Sequence, residues 1–459
     1  MQYLRTATAL LVATVVVVVS ANKRDLCADG STDDNNNWYC QNVTAITYTG
    51  VGGSGSYNRV TSMDSNGGGC SSVAKGYSGT LSPLDEEVSL HFRGPLTLKK
   101  FAVYTPGGSL GSKRREAHVR RHVHGHGYGH QQVAREAEAA VGDMVTAVIN
   151  GVAETWVNEW SGQSATPAPV AGSPSSGSLV PPANLPTPSS TSSSATASSS
   201  STSSGSGNTA PSSGGWGRMA FYNASANSSE GLVFLNHNGG TGSGVFDYTY
   251  GNSLSYASSD GQNGAASPQI LSDCTLPSSS EVVIMSSRKC GANNGACGYY
   301  RPGTVAHHGF AGPSKAFIFE FNMPSTGQTA ASIYDPVDMP AIWMLNAQIP
   351  RTLQYGEAAC SCWTSGCGEF DIFEVLAPGD KRAKSTLHGN IAGRDSDFFG
   401  RPEGTPIQVA TVLHNDNIHI KILDREFNFG ADLDAETVAD ILGTTMVQTN
   451  TVSLFALSG

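Results

Sequence analysis

The sequence predicts an all-β fold, and three observations carry the prediction. Only 14% of the residues are charged while 53 of the 459 are glycine, a composition suited to sandwiches of short strands joined by turns rather than to helical bundles. Apolar residues recur at period two in several runs, such as Lys100-Phe101-Ala102-Val103-Tyr104 and Ala316-Phe317-Ile318-Phe319-Glu320-Phe321. Stretches with the 3.6-residue period of an amphipathic helix are few. The length is enough for two or three domains.

Residues 1–21 read as a signal peptide. Met1 to Arg5 is basic, Thr6 to Val19 is an unbroken run of apolar and small residues, and Val19-Ser20-Ala21 offers a small-x-small cleavage pattern. That run is shorter than the ~20 residues of a membrane span, and no later stretch replaces it, so the expectation is an exported chain with no membrane span. Sequons at Asn42, Asn223 and Asn227 suit that route. A net charge of −10 argues against a polyanion-binding role, so nucleic acid is not an expected partner. No apolar tail that would signal a lipid anchor follows Leu454.

Residues 22–110, rich in Gly, Ser and Asn, read as a small Gly-rich β domain with strands at Val88-Ser89-Leu90-His91-Phe92 and at Lys100–Tyr104. No catalytic-looking cluster falls in them, which leaves a carbohydrate-binding role and a structural spacer both open. Residues 111–215 follow as a connecting segment. Its start holds Lys113-Arg114-Arg115, Arg120-Arg121 and His118, His122, His124, His126 and His130. A solvated linker is the first reading, with metal binding, contact with acidic surfaces and dibasic processing as the others. Lys23-Arg24 resembles a processing site too. From Gln131 to Trp160, apolar residues at Val133, Ala137, Val141, Val145, Val148, Val152 and Trp156 predict one amphipathic helix. Ser161 to Gly214 is almost entirely Ser, Thr, Pro, Ala and Gly, too poor in apolar residues to fold, and reads as a disordered Ser/Thr/Pro linker.

Residues 216–459 have the size of one large β-sandwich. Strand alternation recurs at Gly231–Leu235, Ala316–Met323 and Asn417–Asp424, with a short helix near Asp434 to Leu442. The nine cysteines of an exported chain are most simply disulfide partners. Cys274, Cys290, Cys297, Cys360, Cys362 and Cys367 can pair within the later segment, leaving one of Cys27, Cys40 and Cys70 free or bonded to another chain. A zinc site at Cys360, Cys362 and Cys367 is the weaker alternative, because the spacing is irregular and no His completes it.

The chemistry-bearing stretch is Gly368-Glu369-Phe370-Asp371-Ile372-Phe373-Glu374. On a strand, Glu369 and Asp371 share one face. Glu374 falls on the other unless one extra residue is inserted after Asp371 as a β-bulge, a device that re-aims side chains beside active sites. With the bulge, three carboxylates line one cleft, the outer pair at the roughly 5 to 5.5 Å of a retaining glycosidase. An exposed, salt-bridged helix is the competing origin of such a pattern, but it would follow a Cys/Gly-rich loop without a clear cap.

Around this stretch, Phe317–Pro324, Met339-Pro340-Ala341-Ile342-Trp343-Met344-Leu345 and Gly368–Glu374 occur in an order that resembles glycoside hydrolase family 16. Trp343–Arg351 and Cys360-Ser361-Cys362-Trp363-Thr364-Ser365-Gly366-Cys367 resemble the fungal Tos-type cell-wall proteins, glycosyl hydrolase relatives with a Gly-rich N-terminal domain. The resemblance implies a concanavalin-like β-jelly-roll sandwich as the catalytic domain, with Glu369 as nucleophile, Glu374 as general acid/base and Asp371 as the neighbour that tunes Glu369. It implies an endo-acting β-1,3-glucanase of the fungal cell wall, needing no metal or other cofactor. Trp343 and Trp363 are candidate sugar-stacking residues, Trp343 with a core role equally open. His388 is a candidate cleft residue, with a structural role equally open. The insertion Gln348 to Gly366 departs from the family pattern, which leaves transglycosylation as an alternative; a non-catalytic wall protein that only binds or crosslinks glucan is a second, against which the three carboxylates argue. Wall retention would then need a disulfide or glucan linkage.

Overall fold

The computed structural model describes residues 32–34, 37–107, 144–149, 152–157, 215–291, 297–331, 335–423 and 427–457. The residues read as a signal peptide, Cys27, the basic and histidine-rich tract and the Ser/Thr/Pro segment lie outside them. The chain divides into two units, Met1–Glu116 with Ser213–Gly459, and Ala117–Ser212.

The strands of the larger unit that matter here are β1 (Ala45–Thr49), β2 (Gly52–Met63), β3 (Cys70–Thr80), β4 (Val88–Arg93), β5 (Leu96–Pro106), β6 (Trp216–Asn223), β7 (Leu232–Asn236), β8 (Glu281–Ser286), β9 (Lys315–Asn322), β10 (Ala341–Asn346), β11 (Glu369–Val375), β12 (Arg382–His388), β13 (Ile407–His414), β14 (Asn417–Leu423) and β15 (Val452–Ala456). They form two sheets. One runs β6-β5-β9-β13-β14-β1-β15, and the other β7-β8-β4-β10-β11-β12, each extended at its edges by short strands. The all-β sandwich read from composition and alternation is the fold.

Period-two patterning explains the layers. Phe317, Phe319 and Phe321 of β9 enter the core between the sheets together with Phe101 of β5, Phe92 of β4 and Phe370 of β11. The alternate residues Ala316 and Ile318 turn outward and join Trp216, Val438 and Ile441 in a second apolar layer. Val438 and Ile441 belong to helix α1 (Ala435–Thr444), whose N-cap Asp434 accepts from the Thr437 backbone N–H at 2.6 Å. This is the helix expected near Asp434.

Residues 45–106 are β, as their alternation predicts, but their strands do not form a sheet of their own. β4 lies between β8 and β10, β5 between β6 and β9, and β1 between β14 and β15. Each sheet therefore alternates chain from the two sides of the linker, and the boundary drawn at residue 110 does not divide the core. The physical reason is visible in β5: Phe101 and Val103 are wholly buried on one face and Ala102 and Tyr104 on the other, so the strand needs neighbours and cover on both sides. Only β2 and β3 stay apart, as a long hairpin pairing Gly52 with Thr80 and Met63 with Cys70.

Two further expectations are corrected. In the smaller unit, the described residues of the stretch Gln131–Trp160, expected to be a helix, form instead a pair of antiparallel strands, Met144–Ile149 and Val152–Val157; the rest of that stretch lies outside the described residues. Asn150-Gly151 stands between them in the sequence, the strongest short-range hairpin signal there is, and β-branched residues flank it. The cysteines also pair differently. Cys70 bonds Cys360 across 290 residues, Cys290 bonds Cys297 and Cys362 bonds Cys367. Cys40 is disulfide-bonded as well. Among the described residues, the free thiol is Cys274 of the later segment, and no sulfur of the Cys360–Cys367 group remains for zinc.

Candidate active site

β11 carries the bulge that its spacing requires. From Asp371 to Glu374 the strand advances three residues while β12 advances two, from Thr386 to Lys384, and against β10 the register slips between Ile342 and Trp343. Ile372 and Phe373 are both wholly buried in the core, which is where the extra residue goes. The result places Glu369, Asp371 and Glu374 on the face away from that core.

Cross-strand pairing then sets their neighbours, because directly paired residues share a face. One row reads Ser89, Leu345, Glu369, His388; the next His91, Trp343, Asp371, Thr386; the third Arg93, Ala341, Glu374, Lys384. All six residues singled out in the sequence come together here. His388 Nε2 is hydrogen-bonded to Asp371 Oδ2 at 2.9 Å. Trp363 Nε1 donates to Glu369 Oε2 at 2.6 Å, and its ring stands 6.4 Å from the His388 ring. Trp363 is 46% exposed, whereas Trp343 is only 5% exposed. Trp343 stacks on His91 with ring centres 5.1 Å apart and lies 5.6 Å from the Arg93 guanidinium. The floor of the cleft is thus Trp343, and its open aromatic is Trp363.

The loop that presents Trp363 is tightly fixed. Cys362 and Cys367 close it at its base and Cys360 ties it to β3. The hairpin adds contacts, with the Asn58 backbone N–H donating to Ser365 Oγ at 2.9 Å and Asn390 Nδ2 to Tyr77 Oη at 2.8 Å. Gly366 has a left-handed backbone with φ +86°, and a Cβ there would meet the Asn390 amide.

The electrostatics follow from packing acids together out of water. Burial, then the Asp371 charge, pushes Glu369 up from its ordinary value to about 8; the same two causes in the same order push Glu374 up to about 7. Burial works against a charged His388, but its hydrogen bond to Asp371 and the charges of all three acids outweigh that and raise it to about 9. Glu369, Asp371 and Glu374 titrate as one cluster, so the protons belong to the group and not to a single acid. Glu369 receives the Trp363 N–H, which favours its anion; Glu374 has the Arg93 guanidinium at the longer distance of 3.6 Å.

The sequence reading overlooked Arg93 and His91, which stand on β4 within the segment taken to lack a catalytic cluster. Their signal was the alternation Ser89, His91, Arg93 against Leu90 and Phe92, three polar side chains sharing one face of an otherwise apolar strand. It also overlooked Glu281 on β8. Glu281 Oε1 is hydrogen-bonded to His91 Nδ1 at 2.7 Å and accepts from Gln354 Nε2 at 3.0 Å; its Oε2 accepts from Tyr355 Oη at 2.7 Å. On this face of the sheet, two donor sets are close enough to share one cation, Glu369 with Asp371 and His388, and His91 with His237 and Glu281, each set within 4.8 Å. In both, hydrogen bonds between the side chains already engage these atoms.

The comparisons with known proteins cover both halves of the fold. The family model for the cell wall protein YJL171C/Tos1, C-terminal, matches residues 214–441, and the corresponding N-terminal model matches residues 44–106. A probable circularly permuted 1,3-beta-glucanase of Arthroderma benhamiae is 43% identical over 421 residues, covering 89% of this chain and 91% of that protein. The probable circularly permuted 1,3-beta-glucanase TOS1 of Candida albicans is 39% identical over 448 residues, with 89% and 92% covered. Its namesake in Saccharomyces cerevisiae is 38% identical over 427 residues, with 88% and 90% covered. No solved structure matches.

Proposed function

The chain belongs to the YJL171C/Tos1 cell wall protein family, and from that membership and the geometry of the cleft we propose that it is a secreted, endo-acting β-1,3-glucanase of the fungal cell wall. It works by retaining double displacement. The observation that carries this reading is the bulge in β11, which puts three carboxylates on one face and raises the two outer ones by burial.

Glu369 attacks the anomeric carbon as its anion, steadied by the Trp363 N–H, while Glu374 gives its proton to the departing glycosidic oxygen. Glu374, now an anion beside Arg93, takes a proton from the incoming water, whose oxygen displaces Glu369 from the sugar. Asp371 is the positioning residue. Its charge helps hold the proton that Glu374 must deliver, and its bond to His388 fixes it between the two. Two carboxyls supply both the nucleophile and the proton transfer in such a reaction.

Assaying laminarin cleavage by Glu369→Gln tests this directly. Loss of product with the fold intact supports the reading, and unchanged product release would overturn it. Trp363, half open at the β11–β12 side of the carboxylates, favours one second outcome, because an aromatic there can hold an incoming glucan as well as a departing one. Products longer than the substrate would mark transfer in place of hydrolysis.

A further inference from the structure

Beyond Arg93, on the side away from Trp363, the same face of the sheet runs into a pocket walled by Asn236, His237, Asn238, Gln262, Glu281 and Tyr355. The register ties it to the carboxylates. Glu281 is paired with Arg93, Arg93 with Ala341 and Ala341 with Glu374, so the four stand in one row on one face. Three strand intervals put Glu281 ~14 Å from Glu374 along that row.

The chemistry of the walls selects a ligand class. The Glu281 side chain is 11% exposed, and among the described residues its ion-pair partners are the two imidazoles of His91 and His237. Burial opposes its charge, yet the imidazoles of His237, 3.6 Å away, and of His91, hydrogen-bonded at 2.7 Å, hold its carboxyl well below the usual range. The remaining walls are amides, hydroxyls and an aromatic ring, with Arg93 next in the row to repel a cation. Such a lining suits a neutral molecule rich in hydroxyl groups.

Tyr355 supplies the second observation. It is 58% exposed, yet it is not loose: its hydroxyl is bonded to Glu281, and its ring stands edge-on to His237 with centres 5.6 Å apart. A solvent-facing ring fixed at its polar end is a preorganised apolar surface. Among the described residues the side-chain amide of Gln262 makes no hydrogen bond, although its backbone carbonyl accepts from Asn238 Nδ2.

We propose that this pocket is a distal sugar subsite, holding a hexopyranosyl unit of the same chain that is cut at Glu369 and Glu374, with Tyr355 under the ring and Glu281 and Gln262 meeting its hydroxyls. The proposal rests on the reading of the carboxylates as glycosidic. A glucan lying across the strands passes the carboxylates and reaches the pocket a few units away, so long substrates gain a contact that short ones lack.

Tyr355→Ala and Gln262→Ala test it, since neither residue touches the carboxylates. Measured on short and long β-1,3-glucan oligosaccharides, kcat/KM should fall about tenfold more on the long ones. Equal losses on both, or no loss, would overturn the proposal. A binding arm separates its failure from failure of the catalytic reading. In the Glu369→Gln background, calorimetric titration with the long oligosaccharide should show Tyr355→Ala weakening Kd by a similar factor, whether or not the parent cleaves glucan. An unchanged Kd, or no binding by the Glu369→Gln protein itself, rejects the subsite.

Discussion

The indole N–H of Trp363 donates to Glu369 across 2.6 Å, from a loop closed by its own disulfide six residues upstream of the strand that carries the acid. A donor here lowers the pKa of Glu369 against the burial that raises it. In Trp363→Phe the ring remains and the donor is lost. We expect kcat to fall about tenfold, the lower end for a hydrogen bond to a charged group in a half-open site. The acid limb of the pH–rate profile should move to higher pH, and a profile that keeps its limb would remove Trp363 from the mechanism.

Asp371 pushes both outer carboxyls upward. Asp371→Asn should therefore lower both, sliding the whole profile toward acid, and at neutral pH kcat should drop on the order of 10²-fold because Glu374 gives up its proton too early. Kinetics over a pH series decide the matter; a uniform loss without displacement would make Asp371 a packing residue.

The same groups set a stability slope. Glu369 and Glu374 are raised from 4.5 to about 8 and about 7, and His388 from 6.5 to about 9, so the folded chain binds more protons than the unfolded one. Their contribution is fully present below the unfolded pKa values and is lost as pH rises through the folded ones, a window from roughly 4.5 to 9. Glu281, held below its ordinary value, acts oppositely and loses its contribution in strong acid. Tm should be higher at pH 5 than at pH 8, and Glu369→Gln should flatten the difference. An equal slope in the variant would contradict it.

Because β1 and β5 sit inside one sheet and β4 inside the other, residues 216–459 expressed alone lack two interior strands of the first and one of the second. We expect that fragment to be insoluble or unfolded by circular dichroism, and co-expression of residues 32–110 to restore it. A soluble, cooperatively melting fragment would show that the interleaving is dispensable.

The Cys70–Cys360 bond joins the hairpin to the Trp363 loop. Cys70→Ser with Cys360→Ser should cost about 2–5 kcal/mol, the usual range for a native disulfide in an exported chain. Chemical denaturation measures it, and laminarin kinetics should register a loosened Trp363 as a raised KM.

The legible part of the site was everything on one strand. Glu369, Asp371 and Glu374 revealed both their common face and the need for a bulge, because period-two geometry leaves no other way to bring the last of them round. Trp363 and His388 were reached through resemblance. Arg93, His91, Glu281 and Tyr355 were not seen, since they arrive by strand pairing across gaps of tens to hundreds of residues, and pairing order leaves no local mark. The cysteines misled for the same reason: Cys70 finds Cys360 through the fold. At Met144–Val157 the local mark was present, but apolar residues at helical spacing drew attention from Asn150-Gly151.

Strand β15 runs parallel to β1, Val452 against Ala45 and Ala456 against Thr49, which makes the first and last strands of the sandwich neighbours. A ribosome delivers β1, β4 and β5 early, yet their partners β14, β10 and β9 arrive only after the linker, and β15 last of all. The sheet that holds β1 and β15 cannot close until the last strand has emerged. The contact order is accordingly high, folding is slow, and unpaired edges of apolar strands persist while synthesis finishes. Correct folding of this chain thus depends on protecting those edges, and a slowed or truncated translation product should aggregate rather than yield a smaller folded protein.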